Sequence, residues 1–215
     1  MQTYLILKLE GPMQAWGGHT FEDSRPSELF PTRSALLGLL AACLGINRGS
    51  EAQQALASSV LLAVRIDQDP IKMVDYHTVK DARKMHQGLK SNATIQTWRE
   101  YLQDAKYSVA IWLTDKASFT LDQLTSAINK PVYTPFLGRR SCPITRPLFA
   151  AKLNAINELE ALSLYEANDG AIYSEALDES KPKLLKRDVP IHGRKRQFAT
   201  RSITLHAGKR GGYAS

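Results

Sequence analysis

The sequence predicts an α+β fold, and three of its features carry that prediction. Apolar residues alternate along TYLILKLEG at the start of the chain. A strongly apolar helical stretch, PTRSALLGLLAACLGINRG, follows, and the same succession returns as AKYSVAIWLT and TLDQLTSAIN. Alternation marks strands, and a period near 3.6 marks helices. Strand–helix pairs that recur within one chain share a sheet, which gives a ferredoxin-like unit of the RNA-recognition type.

In the first strand Leu5, Leu7 and Leu9 alternate with Tyr4, Ile6 and Lys8, and Gly11-Pro12 ends it. The loop GPMQAWGGHTFEDSRPSELFP holds Trp16, Phe21 and Phe30. Disordered segments are poor in aromatics, so this is an ordered binding loop. Thr32 or Ser34 can cap the first helix, Pro31 bounds it, and Gly45 or Gly49 ends it. A shorter helix over Glu51–Ser59 leads into the strand VLLAVRID. From Pro70 to Asp104 the chain is polar and irregular, which predicts a protruding hairpin whose return Trp98 and Tyr101 anchor. AKYSVAIWLT places Val109, Ile111 and Leu113 on one face, and the next helix turns Leu121, Leu124 and Ile128 inward. Beyond Pro131 come a proline-shaped loop, YTPFLGRRSCPITRPLF, and strand candidates at AIYSE and FATRSITLHA. Two regions follow from this: 1–145, the ferredoxin-like unit, and 146–215, smaller and β-rich with a basic tail.

The chain has 215 residues, 43% of them hydrophobic, and a formal net charge of +7. That suffices for a core and favours polyanionic partners. Cys43 lies in an apolar run and reads as core, whereas Cys142 follows two arginines that could lower its thiol pKa. Two cysteines so far apart predict reduced thiols in a cytoplasmic protein. Neither a signal peptide nor a transmembrane span is evident, so no membrane partner is expected.

Catalytic patterns are sparse. The histidines, at 19, 77, 86, 192 and 206, have no helical metal spacing, and CxxC, HExxH, GxxxxGK[ST] and GxSxG do not occur. No metal or cofactor is expected. Metal-independent RNA cleavage needs a base, an acid and cationic support, and Tyr76, His77, Lys80 and Arg83 supply those types. The sequence favours the plainer alternative, in which His77 packs or hydrogen-bonds at the base of the excursion.

Three segments suit RNA. In GPMQAWGG, glycines admit a close ligand and Trp16 offers a stacking plane, with a core plug as the equal alternative. At the helix start, free N–H groups, Arg33 and Ser34 attract phosphate, a role compatible with ordinary capping. LGRRSCPIT gathers Arg139, Arg140, Ser141 and Cys142 without an acid, and Arg146 extends it. Arg33, Arg139, Arg140 and Arg146 are the expected phosphate ligands. Gln14, Trp16, Ser141 and Cys142 are the expected base-pocket residues, and Arg25 and Lys90 complete the candidate RNA-binding set.

The segments LILKLEGPMQAWG, FPTRSALLGLLAACLGI, DYHTV, TIQTWREYL, YTPFLGRRSCPITRPLF, IYSE and RQFATR resemble the CasD family, subunits of type I-E CRISPR Cascade complexes. The resemblance runs to about Arg201; Asp67–Val74 and the tail from His206 depart from it. It implies a hairpin thumb, placed at about 76–104, and a non-catalytic subunit that caps the 5′ handle of the CRISPR RNA. The implied partners are the repeated backbone subunit (CasC) and the large subunit (CasA), with target DNA reached through the complex. In the related type I-C system the equivalent subunit cuts RNA, which is the alternative function.

Overall fold

The computed structural model describes residues 1–79, 94–192 and 197–208. In chain order its elements are β1 (Gln2–Glu10), β2 (Met13–Gln14), β3 (Ser24–Arg25), α1 (Arg33–Leu44), α2 (Glu51–Ser59) and β4 (Val60–Gln68). Next come β5 (Ile71–Val79), β6 (Ile95–Gln103), β7 (Lys106–Leu113), α3 (Leu121–Asn129) and β8 (Phe149–Ala155). The chain continues through α4 (Glu158–Tyr165), β9 (Ile172–Ser174), β10 (Lys183–Pro190) and β11 (Phe198–His206).

β1 is a central strand. It pairs antiparallel with β7 on one side and β8 on the other, and β4 pairs antiparallel with β7. The order β4-β7-β1-β8, with α1 between β1 and β4 and α3 between β7 and β8, is the interleaved ferredoxin-like arrangement. Beyond β4 the same sheet continues through β9, β11 and β10. The sheet therefore runs across position 145/146: β8 forms an edge of the ferredoxin-like unit, and β9–β11 extend it.

Local chemistry sets the helices. The Thr32 side chain accepts from the Ala35 N–H, and Gly45 ends α1 at φ 72°, a left-handed conformation that glycine adopts without strain. Thr120 and Gln123 form a reciprocal capping box on α3. Leu5, Leu7 and Leu9 join Val109 and Ile111 in one core with Leu36, Leu37 and Leu40 of α1 and Leu124 and Ile128 of α3.

The opposite face of the sheet is covered too. α4, which the sequence pattern did not predict, lies there on Tyr4, Ile6, Ala63, Ala110 and Trp112. Its eight residues, ELEALSLY, give little periodicity, but Ala161 facing Ala63 and Ala110 lets it sit close to the sheet. Beneath it Arg65, only 1% exposed, donates to the Leu162 and Glu166 carbonyls at the end of α4, each at 2.8 Å. Asp67 binds Arg65 at 2.5 Å and Lys8 at 2.7 Å, and accepts from Ser108 at 2.6 Å. These buried charges are mutually paired, as burial requires. An RNA-recognition unit stacks bases on its open sheet face; in this chain α4 occupies that face.

β5 and β6 form the thumb, a hairpin in continuous register from Ile71↔Gln103 to Val79↔Ile95, within the Pro70–Asp104 excursion and starting five residues before the position of about 76 that the resemblance implied. The other edge of β6 takes β2 and then β3. The long loop after β1 is thus stitched to the thumb, which explains its order. Only one of the two expected anchors holds the thumb to the body. Tyr101 is buried, whereas Trp98 is 45% exposed and rests on Tyr76 with ring centroids 5.5 Å apart.

Candidate nucleic-acid interface

The loop after β1, the base of the thumb and the 138–142 turn meet at one junction, and backbone geometry builds it. Ala15 N–H donates to the Leu137 carbonyl at 3.1 Å. A Cβ on Gly138 would stand 1.6 Å from the Ala15 carbonyl oxygen, so the turn can approach the loop only with glycine there. A Cβ on Gly11 would similarly meet the Pro143 carbonyl at 2.6 Å. Leu137 and Cys142 close the turn with an N–H···O bond of 2.8 Å. At the thumb base the Glu100 carboxylate accepts from the Ser27 N–H at 3.0 Å and pairs with Lys72 at 3.2 Å. Burial raises the Glu100 pKa, but the Ser27 N–H, Lys72 and Arg139 outweigh it and hold the group below its ordinary value.

The residues expected to bind RNA separate into a buried and an exposed set. Trp16 is 1% exposed and packs edge-on against Tyr107, with centroids 6.3 Å apart, so it is the core plug and offers no stacking plane. Gln14 is equally buried and donates to the Ala105 carbonyl at 2.7 Å. Cys142 is buried as well. Burial raises its thiol pKa, and the hydrogen bonds from Ser141 and Arg139, with the Arg139 charge, lower it less, so the neighbouring arginines do not bring the pKa below its ordinary value.

The start of α1 is also occupied. Arg33 N–H donates to the Asp188 carboxylate at 2.7 Å, and the guanidinium pairs with Glu175 and donates to the Ala57 and Val60 carbonyls. Arg201 binds Glu175 at 2.6 Å and Asp188 at 2.6 Å. A carboxylate thus takes the anion position that a phosphate would need, and Arg33 serves to dock β9–β11 onto α1. Ser34 lies at 3.2 Å from the Thr32 hydroxyl within that cap.

The exposed set lies around the turn. Arg140 is exposed and makes no hydrogen bond or ion pair among the described residues. Ser141 is exposed, 3.5 Å from the Tyr101 hydroxyl, and Arg146 is exposed with Glu10 at 3.7 Å. Arg25 bonds to the Glu22 and Ser24 carbonyls of its own loop. Sequence reasoning overlooked Tyr133 and Phe136, which are 52% and 38% exposed in the same loop as Arg140. Their signal was their position, in a proline-rich segment beside paired arginines.

Lys90, Lys80 and Arg83 lie outside the described residues. Tyr76 and His77 are neighbours on β5, so their side chains project to opposite faces. Tyr76 meets Trp98, while His77 pairs with Asp75. They do not converge on one phosphate. Among the described residues no cluster of His, Cys, Asp or Glu could hold a metal ion, and no helix is long and apolar enough to cross a membrane.

A ferredoxin-like unit carrying an inserted thumb, a sheet extension and a basic loop junction defines a class of RAMP-type CRISPR-associated proteins. Residues 4–204 match the family model described as CRISPR-associated protein (Cas_Cas5), and the chain belongs to that family. It is 51% identical over 211 residues to the CRISPR system Cascade subunit CasD of Escherichia coli (strain K12), covering 94% of each chain. Its fold matches a chain of a CRISPR RNA-guided surveillance complex with a TM-score of 0.76 at 26% identity, over 95% of this chain and 90% of that one. It also matches a crystal structure of a Cas protein with a TM-score of 0.69 at 25% identity, over 94% and 93%.

Proposed function

We propose that this chain is a non-catalytic subunit that binds and caps the 5′ handle of the CRISPR RNA in a type I-E Cascade complex. One observation carries the reading: an exposed arginine without a partner among the described residues stands in a fixed turn, in the same loop as two exposed aromatic rings. Single-stranded RNA is bound by such groups, with splayed bases stacked on rings and phosphates held by guanidinium forks. Arg140 and Arg146 hold phosphates, Tyr133 and Phe136 stack bases, and Ser141 donates to a base edge.

The thumb joins the repeated backbone subunit to the large subunit. Val74, Tyr76 and Trp98 expose apolar surface on one face of the hairpin, and Ile71 and Val79 do so on the other, as a partner-covered strand pair does. Purified chain incubated with repeat RNA in EDTA is expected to retain the RNA uncut and to prefer the handle sequence over a scrambled one. A discrete cut, or equal binding of both RNAs, would sink the proposal.

A further inference from the structure

Although adjacent in sequence, Arg139 and Arg140 occupy different environments. Arg139 Nη1 donates to the Glu100 carbonyl of β6 at 2.8 Å, and Nη2 donates to the Arg25 carbonyl of β3 at 2.7 Å. Its guanidinium carbon sits 4.7 Å from the centroid of the Tyr101 ring. The side chain is partly buried, and its donors are spent on main-chain oxygens of two other segments. The β3–β6 ladder has two paired positions, Ser24↔Trp98 and Arg25↔Arg99, so the arginine fork bridges a short seam.

We infer that Arg139 is a positioning residue, a clamp that fixes the long loop and the thumb base against the 138–142 turn, and is not a phosphate ligand. The fork explains why arginine is needed. Two parallel donors on one rigid plane reach two carbonyls while stacking on a ring, whereas a lysine ammonium is a single point charge. The clamp holds the exposed groups of the junction in their binding arrangement, so the handle binds without first ordering the loop.

Two readouts test this, and only the second rests on the handle-binding proposal. The first is amide hydrogen exchange of the full chain without RNA. Arg139→Lys and Arg139→Ala are both expected to lower protection in β3 and the adjoining part of β6 by about tenfold, with Arg140→Ala unchanged. The second is handle affinity against salt. Both Arg139 variants are expected to bind about tenfold more weakly with the salt slope of the unaltered chain, whereas Arg140→Ala makes the slope shallower by about 0.7. Tyr101→Leu removes the seat of the clamp without changing any charge, and the same local loss of protection is expected. Unchanged exchange in these variants overturns the clamp. So does an Arg139→Lys chain that binds like the unaltered one while Arg139→Ala loses slope, because that pattern marks a phosphate ligand.

Discussion

Arg33 and Arg140 carry the same guanidinium, and what surrounds each decides its role. Arg33 faces two carboxylates and two carbonyls, while Arg140 faces solvent. Arg140→Ala is therefore expected to leave the melting temperature within about 1–2 °C of the parent while weakening handle binding, since exposed substitutions change stability little. Trp16→Ala should do the reverse, costing about 3–5 kcal/mol of stability in a denaturant titration by emptying a core site. The difference was not legible in the sequence. The partners of Arg33, Glu175 and Asp188, lie 142 and 155 positions away, and no local pattern reports such pairing. Tryptophan beside glycine fits a stacking platform and a plug equally, and only its contact with Tyr107 separates them.

Among the elements, the C-terminal ribbon β10–β11 is held to α1 by Arg33, Arg201, Glu175 and Asp188. Burial raises the Asp188 pKa, but Arg201 and the Arg33 N–H and charge outweigh it, leaving the carboxyl below its ordinary value. A depressed folded-state pKa stabilises the chain above the unfolded value of about 3.9, and the gain is lost as pH falls through the folded one. Asp188→Asn should cost about 3 kcal/mol near neutrality and flatten the fall in melting temperature below about pH 4. A variant that keeps the full acid dependence would remove Asp188 from that role. The thumb makes a second prediction. Trp98→Ser with Tyr76→Ser is expected to leave the body folded by circular dichroism and to reduce incorporation into the complex in a pull-down with the backbone subunit. Capped, strongly apolar elements such as β1, α1, β7 and α3 were legible, because their periodicity and caps are local. α4 was not, since it is short and its stability comes from the sheet beneath it. The hairpin was legible at 70–104 because β5 alternates without a buried face, and only the thumb start of about 76 that the resemblance implied fell inside it.

For the whole molecule, the topology decides where RNA can go. Helices cover one face of the sheet and α4 covers the other, so the proposed RNA grip is assigned to the junction of loops at the thumb base. The formal charge of +7 makes binding salt-dependent without saying where the charge acts. The most direct measurement compares the unaltered chain with an Arg140→Ala/Arg146→Ala double variant, titrating 5′-handle RNA between about 50 and about 200 mM salt. Two lost phosphate contacts to a single strand predict a log–log slope shallower by about 1.4, with fold and melting temperature retained. An identical slope and affinity in the double variant would contradict the assignment of the junction as the RNA grip.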